Sequence, residues 1–183
     1  MEDLAQSWKK LSLTDVEETN IDLSNDKKKK GTVLAAKFFT WRSLNIEAVA
    51  RTFRPLWRTR SSFEVSDAGN NVLLIAFELE VDAEKVVQGE PWAFDHHLVV
   101  LQKYDGSTSI QDLSFTTTKF WVQLHNLPYS LLTMMATLSI GKTLGTITKP
   151  KDAADKRDGN FMHVRVAVDI TKSLCRGRKV RER

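Results

Sequence analysis

An α+β architecture is expected, a βαββαβ unit followed by a smaller βαββ unit, and three observations predict it. Strand-like runs alternate with stretches whose apolar residues recur at helical spacing. Asp67-Ala68-Gly69-Asn70-Asn71 separates two of those runs as a hairpin turn would. Further on, Met162, Val164, Val166 and Val168 alternate with His163, Arg165, Ala167 and Asp169, the mark of a strand with one covered face.

Taken in order, residues 1–31 read as a short helix, with Leu4, Trp8 and Leu11 on one face, and an acidic linker. The Lys27–Lys30 run closing it is a solvated stretch, or a phosphate-binding or nuclear-import patch. Val33–Phe39 is strand-like. Asn45 is a helix N-cap ahead of Ile46, Val49, Ala50 and Phe53, which form one buried stripe, and Pro55 is expected to stop that helix. Phe63–Ser66 and Val72–Glu78 bracket the hairpin turn. Asp82 is placed as the cap of a second helix with Ala83, Val86 and Val87 inward, ended by Gly89 and Pro91. Trp92 and Phe94 are expected to flank a turn as core plugs, and Leu98–Gln102 is the last strand. Over residues 32–104 this is the ferredoxin-like order shared by RNA-recognition motifs.

Residues 105–118 form a polar connector to the second unit, residues 119–172. Its first strand sets Phe120, Val122 and Leu124 on one face and Trp121, Gln123 and His125 on the other. After the turn Asn126-Leu127-Pro128, Ser130 is taken to cap a helix with the stripe Leu131, Met134, Met135 and Leu138, and Gly141 to stop it. Ile147–Thr148 is a short strand and Lys151–Gly159 a charged hairpin loop. Residues 173–183 are a basic tail.

A chain of 183 residues with 42% hydrophobic and 27% charged residues buries a real core, in one domain or two small ones. No apolar run reaches membrane-spanning length and the amino terminus lacks the order of a secretory signal, so an intracellular protein, nuclear or cytoplasmic, is expected, with no membrane partner. One cysteine, Cys175, excludes an internal disulfide and any multi-cysteine zinc site.

The net charge is only +4, and it is unevenly spread. Lys37, Arg42, Arg51, Arg54, Arg58 and Arg60 face a single acid, Glu47, with Phe38, Phe39, Trp41, Phe53 and Trp57 threaded among them. Residues 61–95 hold eight acids and one base, Lys85. Cations displace the counterions of a polyphosphate, and rings offer a π face to bases. Arg51, Arg54, Arg58 and Arg60 are therefore the candidates for phosphate contact, and Arg176, Arg178, Lys179 and Arg181 for a flexible basic clamp. Trp121 stacks a base if its strand face is open, or packs against the first unit if it is not. The competing account pairs the four arginines with the acids of 61–95.

Catalytic signals are missing. Asp95-His96-His97 cannot readily chelate one metal, because adjacent strand residues point to opposite faces. Gly141-Lys142-Thr143 has Ala136 where a phosphate-binding loop needs glycine, and it follows a helix instead of opening one. A non-enzyme with no metal, no cofactor and no small-molecule substrate is expected.

Several stretches together resemble a plant family, the amino-terminal part of gag-like proteins of LINE-type retrotransposons and their domesticated relatives. They are Val33–Lys37 (VLAAK), Val49–Trp57 (VARTFRPLW), Phe77–Glu84 (FELEVDAE), Gly89–Phe94 (GEPWAF) and Phe120–Pro128 (FWVQLHNLP). Trp121-Val122 ahead of Asn126-Leu127-Pro128 also resembles the entry strand of an RNA-recognition motif. The resemblance implies a nucleic-acid-associated protein that binds RNA or single-stranded DNA. Longer relatives carry a CCHC zinc knuckle; no Cys-x-x-Cys pair occurs here, so zinc binding is not carried over and a truncated copy, even a non-functional one, is an expectation. The alternative function is self-association, the acidic 61–95 segment of one copy docking on the basic stretch of another.

Overall fold

The computed structural model describes residues 31–148 and 161–180, all within one compact unit that begins at Gly31. The expected amino-terminal helix and the charged loop of 151–159 lie outside the described residues. Among the described residues two antiparallel sheets and three α-helices make up a mixed α+β fold.

The first sheet is built from β1 (Thr32–Phe38), β2 (Phe63–Asp67), β3 (Val72–Phe77), β4 (Trp92–Phe94) and β5 (His97–Tyr104), in the spatial order β2-β3-β1-β5-β4. Every neighbouring pair is antiparallel. Helices α1 (Ile46–Trp57) and α2 (Glu80–Gln88) supply Val49, Phe53, Trp57, Ala83 and Val86 to a core shared with Leu34, Ala36, Phe38, Leu73, Ile75, Phe77, Val99 and Leu101. Those strand residues alternate, so both helices cover one face. The reverse face is closed at its centre as well: Ala35, Val72 and Val100 are 0%, 5% and 1% exposed.

Asn45 caps α1 as its sequence position requires, its Oδ1 accepting from the Ala48 N–H at 3.0 Å. Pro55 does not stop the helix. It removes only the bond to the Arg51 carbonyl, and one more turn brings Trp57 onto Phe53, ring centroids 4.5 Å apart. Burying that indole, worth about 2–3 kcal/mol, outweighs the lost bond.

Asp82 does not cap α2. The helix starts earlier, at Glu80, and Leu79 stands at the cap with no side-chain bond. The Asp82 carboxylate turns inward and accepts from the N–H groups of Arg60 (2.9 Å) and Ser61 (3.0 Å), which pins the exit of α1 to α2. Burial works against that charge, yet the two N–H donors and the cations Arg60 and Lys85 hold its pKa below the ordinary value.

Trp92 and Phe94 do pack on the core, but from an additional strand, β4, that pairs with β5 instead of flanking a bare turn. Trp92 Nε1 donates to the Val86 carbonyl at 2.8 Å. A Cβ at Gly89 would lie 2.5 Å from the Trp92 ring, so only glycine lets the indole close over the end of α2.

The second sheet holds β6 (Thr117–Leu124), β7 (Thr146–Ile147) and β8 (Met162–Asp169) in the order β6-β8-β7. Helix α3 (Met134–Lys142) lies against β8, with Gly141 close on Val164. Thr133, not Ser130, is its cap; Ser130 sits in a single turn of 3₁₀ helix, Tyr129–Leu131. Gly141 is buried inside the last turn and does not end it, since a side chain there would crowd the Val164 methyls at 3.1 Å.

Glu90 ties the two sheets together. Lying just past α2, it is only 4% exposed, with Lys119 Nζ of β6 3.3 Å from its carboxylate and Arg165 of β8 donating to its backbone carbonyl at 3.0 Å. Burial raises the Glu90 pKa; the nearby Lys119 and Arg165 charges oppose that rise.

Candidate functional site

Helical spacing places Arg51, Arg54 and Arg58 on one side of α1 and its cap, away from the Val49–Phe53–Trp57 stripe. All three are exposed, as is Arg60. Arg58 adopts a left-handed conformation (φ 47°) that ends the helix with its N–H on the Arg54 carbonyl, and its own carbonyl accepts from Lys85 at 2.8 Å. Among the described residues no carboxylate lies within 4 Å of any of the four guanidinium groups. The other cations of the stretch are engaged: Lys37 bonds the Asn70 carbonyl, and Arg42 pairs with Asp95 at 3.2 Å.

The acids of 61–95 are spent elsewhere. Glu80 and Glu84 flank Lys103 at 3.9 and 3.8 Å, and Glu90 holds Lys119. Glu78 accepts from the hydroxyls of Ser61 and Ser62, which lower its pKa. Asp67 accepts from the Gly69 N–H at 2.9 Å. Such surface pairs hold loops more than they stabilise the fold.

The rings threaded among the arginines do not accompany them to the surface. Phe38, Phe53 and Trp57 are at most 2% exposed and form the core; Phe39 and Trp41 alone of the five are exposed. The physical reason is the helix period: residues 49, 53 and 57 share a face that residues 51, 54 and 58 do not. The first sheet also lacks outward rings on its two central strands, where Val33, Ala35, Lys37, Val72, Leu74 and Ala76 occupy the reverse face.

Trp121 lies on β6, about half exposed at 48%. Its ring neighbours are His163, edge-on at 5.5 Å, and the Arg165 guanidinium, 5.8 Å from the indole centroid. The β6–β8 register continues the row: Trp121 opposes Arg165, Gln123 opposes His163, and Phe161 follows His163 at 6.0 Å with His125 beyond it at 5.0 Å. Sequence reasoning set His125 beside Trp121 on one strand face and His163 with Arg165 on another, but did not join the two faces or include Phe161. The signal was present in the alternation of both strands, but only the pairing register brings the two lists together.

The tail is held in part. Arg178 donates to the Thr143 carbonyl at 3.2 Å, where a cation suits the carboxyl end of α3. Arg176 and Arg178 line a cleft of about 710 Å³ with Leu124, Leu127, Ile140 and Leu144. Lys179 is exposed, and Arg181 lies outside the described residues. Among the described residues no group of three or more His, Cys, Asp or Glu side chains fits a metal ion, and no helix is long and apolar enough to cross a membrane.

Residues 31–111 match the family described as Domain of unknown function (DUF4283). That stretch spans the first sheet and stops short of β6. No curated protein and no solved structure matches the chain.

Proposed function

We propose that the chain is a non-enzymatic nucleic-acid-binding module that holds RNA or single-stranded DNA chiefly through its phosphates. The observation that carries this reading is the exposed row Arg51, Arg54 and Arg58, with Arg60 exposed just beyond it: among the described residues no carboxylate lies within 4 Å of these guanidinium groups, although the Arg60 charge also acts on Asp82. Guanidinium groups are weakly hydrated forks that fit phosphate oxygens, and clustered cations gain entropy by releasing condensed counterions. The ferredoxin-like reading of the first sheet is part of the proposal. It is supported by the strand order β2-β3-β1-β5, antiparallel throughout, with both helices on one face. An origin in a plant LINE-type gag-like protein and a nuclear or cytoplasmic setting rest on the resemblance of its sequence words.

The test is a titration of labelled homopolymer RNA and DNA at several salt concentrations. Contact with four phosphates gives a log–log salt slope of about −3 for single strands. Replacing Arg51, Arg54, Arg58 and Arg60 by glutamine should flatten the slope by about that amount and weaken binding uniformly across sequences. An unchanged slope removes this face from the reading. The self-association alternative has thinner support, since Asp67, Glu78, Glu80, Asp82, Glu84, Glu90 and Asp95 already have partners within the chain. Light scattering with and without RNA separates the two: oligomers that grow with protein concentration and ignore RNA favour assembly.

A further inference from the structure

The outward face of β6 and β8 concentrates planar groups to an extent unmatched on the first sheet. Trp121, His163, Phe161 and His125 follow one another with centroids 5.5, 6.0 and 5.0 Å apart. These side chains share a face because antiparallel partners point the same way, and α3 packs against the opposite face of β8, at Val164. Trp121 and His125 are exposed, and Phe161 and His163 are half-buried. An apolar core would normally take up a tryptophan and a phenylalanine on one strand pair; here they remain at the surface in a row.

We propose that this row is a base-stacking platform, and that it makes the protein favour unpaired strands over duplex. The inference rests on the nucleic-acid reading above and adds the surface that would select unpaired strands. Charge does not select the ligand here, because Glu90 already engages the cations of this face. Lys119 and Arg165 are held by Glu90, and Asp169 stands at the far end of β8. Asp169 is bound by the Thr171 hydroxyl at 2.6 Å and by Lys172 at 2.9 Å, which bring its pKa to about 2. Arg165 holds the ring from beneath. It is 7% exposed, and its Nε has no hydrogen-bond partner among the described residues. Lying against the indole, the guanidinium helps fix the ring at the surface. A duplex hides its base faces within the stack, whereas a single strand can splay them onto rings, as happens on the sheets of RNA-recognition motifs.

The experiment compares a short oligouridine with a duplex of equal length, by fluorescence anisotropy on the full chain. Variants are Trp121→Ala, Phe161→Ala, their combination and Trp121→Phe, each checked for folding by thermal melting. Each alanine should weaken single-strand binding about tenfold, the order contributed by one stacked base. Duplex binding and the salt slope should stay as in the unmodified chain, and Trp121→Phe should recover most of the loss because it keeps a π face. His125→Ala, at an exposed position, provides an independent reading if the Trp121 change disturbs the fold. Unchanged single-strand affinity in the double variant, or equal losses on both strand types, overturns the platform while leaving phosphate binding intact. If the unmodified chain binds neither nucleic acid at low salt, the functional reading falls and the platform with it.

Discussion

The two sheets use the same ingredients, aromatic rings next to cations, and arrange them in opposite ways. In the first, Phe38, Phe53, Trp57, Phe63 and Phe77 turn inward while the arginines of α1 face solvent, and the exposed rings Phe39 and Trp41 lie past the end of β1. In the second, Trp121 and Phe161 share an outward face with Arg165 and two histidines. Sequence proximity of rings and cations therefore says little about a stacking surface. On α1 the 3.6-residue period separates them, while on a strand pair the two-residue period and the register join them.

The sharpest test of that contrast is a pair of truncations. Phe53→Ala deletes a ring that is 0% exposed and touches Phe38, Trp57, Trp92 and Phe94, so it should cost about 3–5 kcal/mol in urea denaturation. Trp121→Ala, at a half-exposed site, should cost no more than about 1 kcal/mol. Similar losses at both positions would mean that Trp121 is packed as a core ring, and the comparison between the sheets would collapse.

The tie between the sheets gives a pH-dependent prediction. Lys119→Met leaves the buried Glu90 carboxylate without its close cation, a loss of about 2–3 kcal/mol at neutral pH once the partial exposure of Lys119 is allowed for. The sign follows from the raised Glu90 pKa. Its folded form holds a proton more tightly than its unfolded form, so its contribution is fully present below the ordinary value of 4.5 and declines as pH rises through the folded value. Removing Lys119 pushes the pKa further up. The variant should therefore be most destabilised near neutral pH and approach the unmodified chain on acidification below 4.5. A penalty that stays constant between pH 4 and pH 7 would show that Glu90 does not carry the joint.

Where local chemistry was decisive, the fold could be read directly. The Asn45 cap, the hairpin turn with left-handed Asn70 and Asn71, and the alternation of Met162–Asp169 all lie where their residues placed them. The departures arise where distant contacts compete with a local rule. Trp57 draws α1 past Pro55, two backbone donors draw Asp82 off the end of α2, and the indole of Trp92 creates β4. For the candidate sites, Arg51 and Arg54 were legible as lying off the helical stripe, whereas Arg58 and Arg60 fell beyond Pro55, where the helix was expected to end. The ring row was not legible, because Phe161 adjoins a stretch read as a charged loop and its neighbours come from a strand some forty residues earlier, a pairing fixed by register.

The helix caps extend the comparison to a smaller scale. In α1, Asn45 accepts from Ala48 at 3.0 Å; in α3, Thr133 accepts from Ala136 at a longer 3.3 Å. Asn45→Ala should cost about 1 kcal/mol and Thr133→Ala about half as much, both read as shifts in thermal melting. The difference bears on the proposed function because α1 presents Arg51 and Arg54, so fraying its first turn should also weaken the proposed nucleic-acid binding slightly without changing the proposed preference for single strands. Thr133→Ala should leave binding as it was, since α3 lies on the side of the second sheet away from the ring row. If the two caps proved equal in both measurements, the orientation of the arginine face would depend on the Val49–Phe53–Trp57 stripe alone, and the start of α1 would have no part in presenting it.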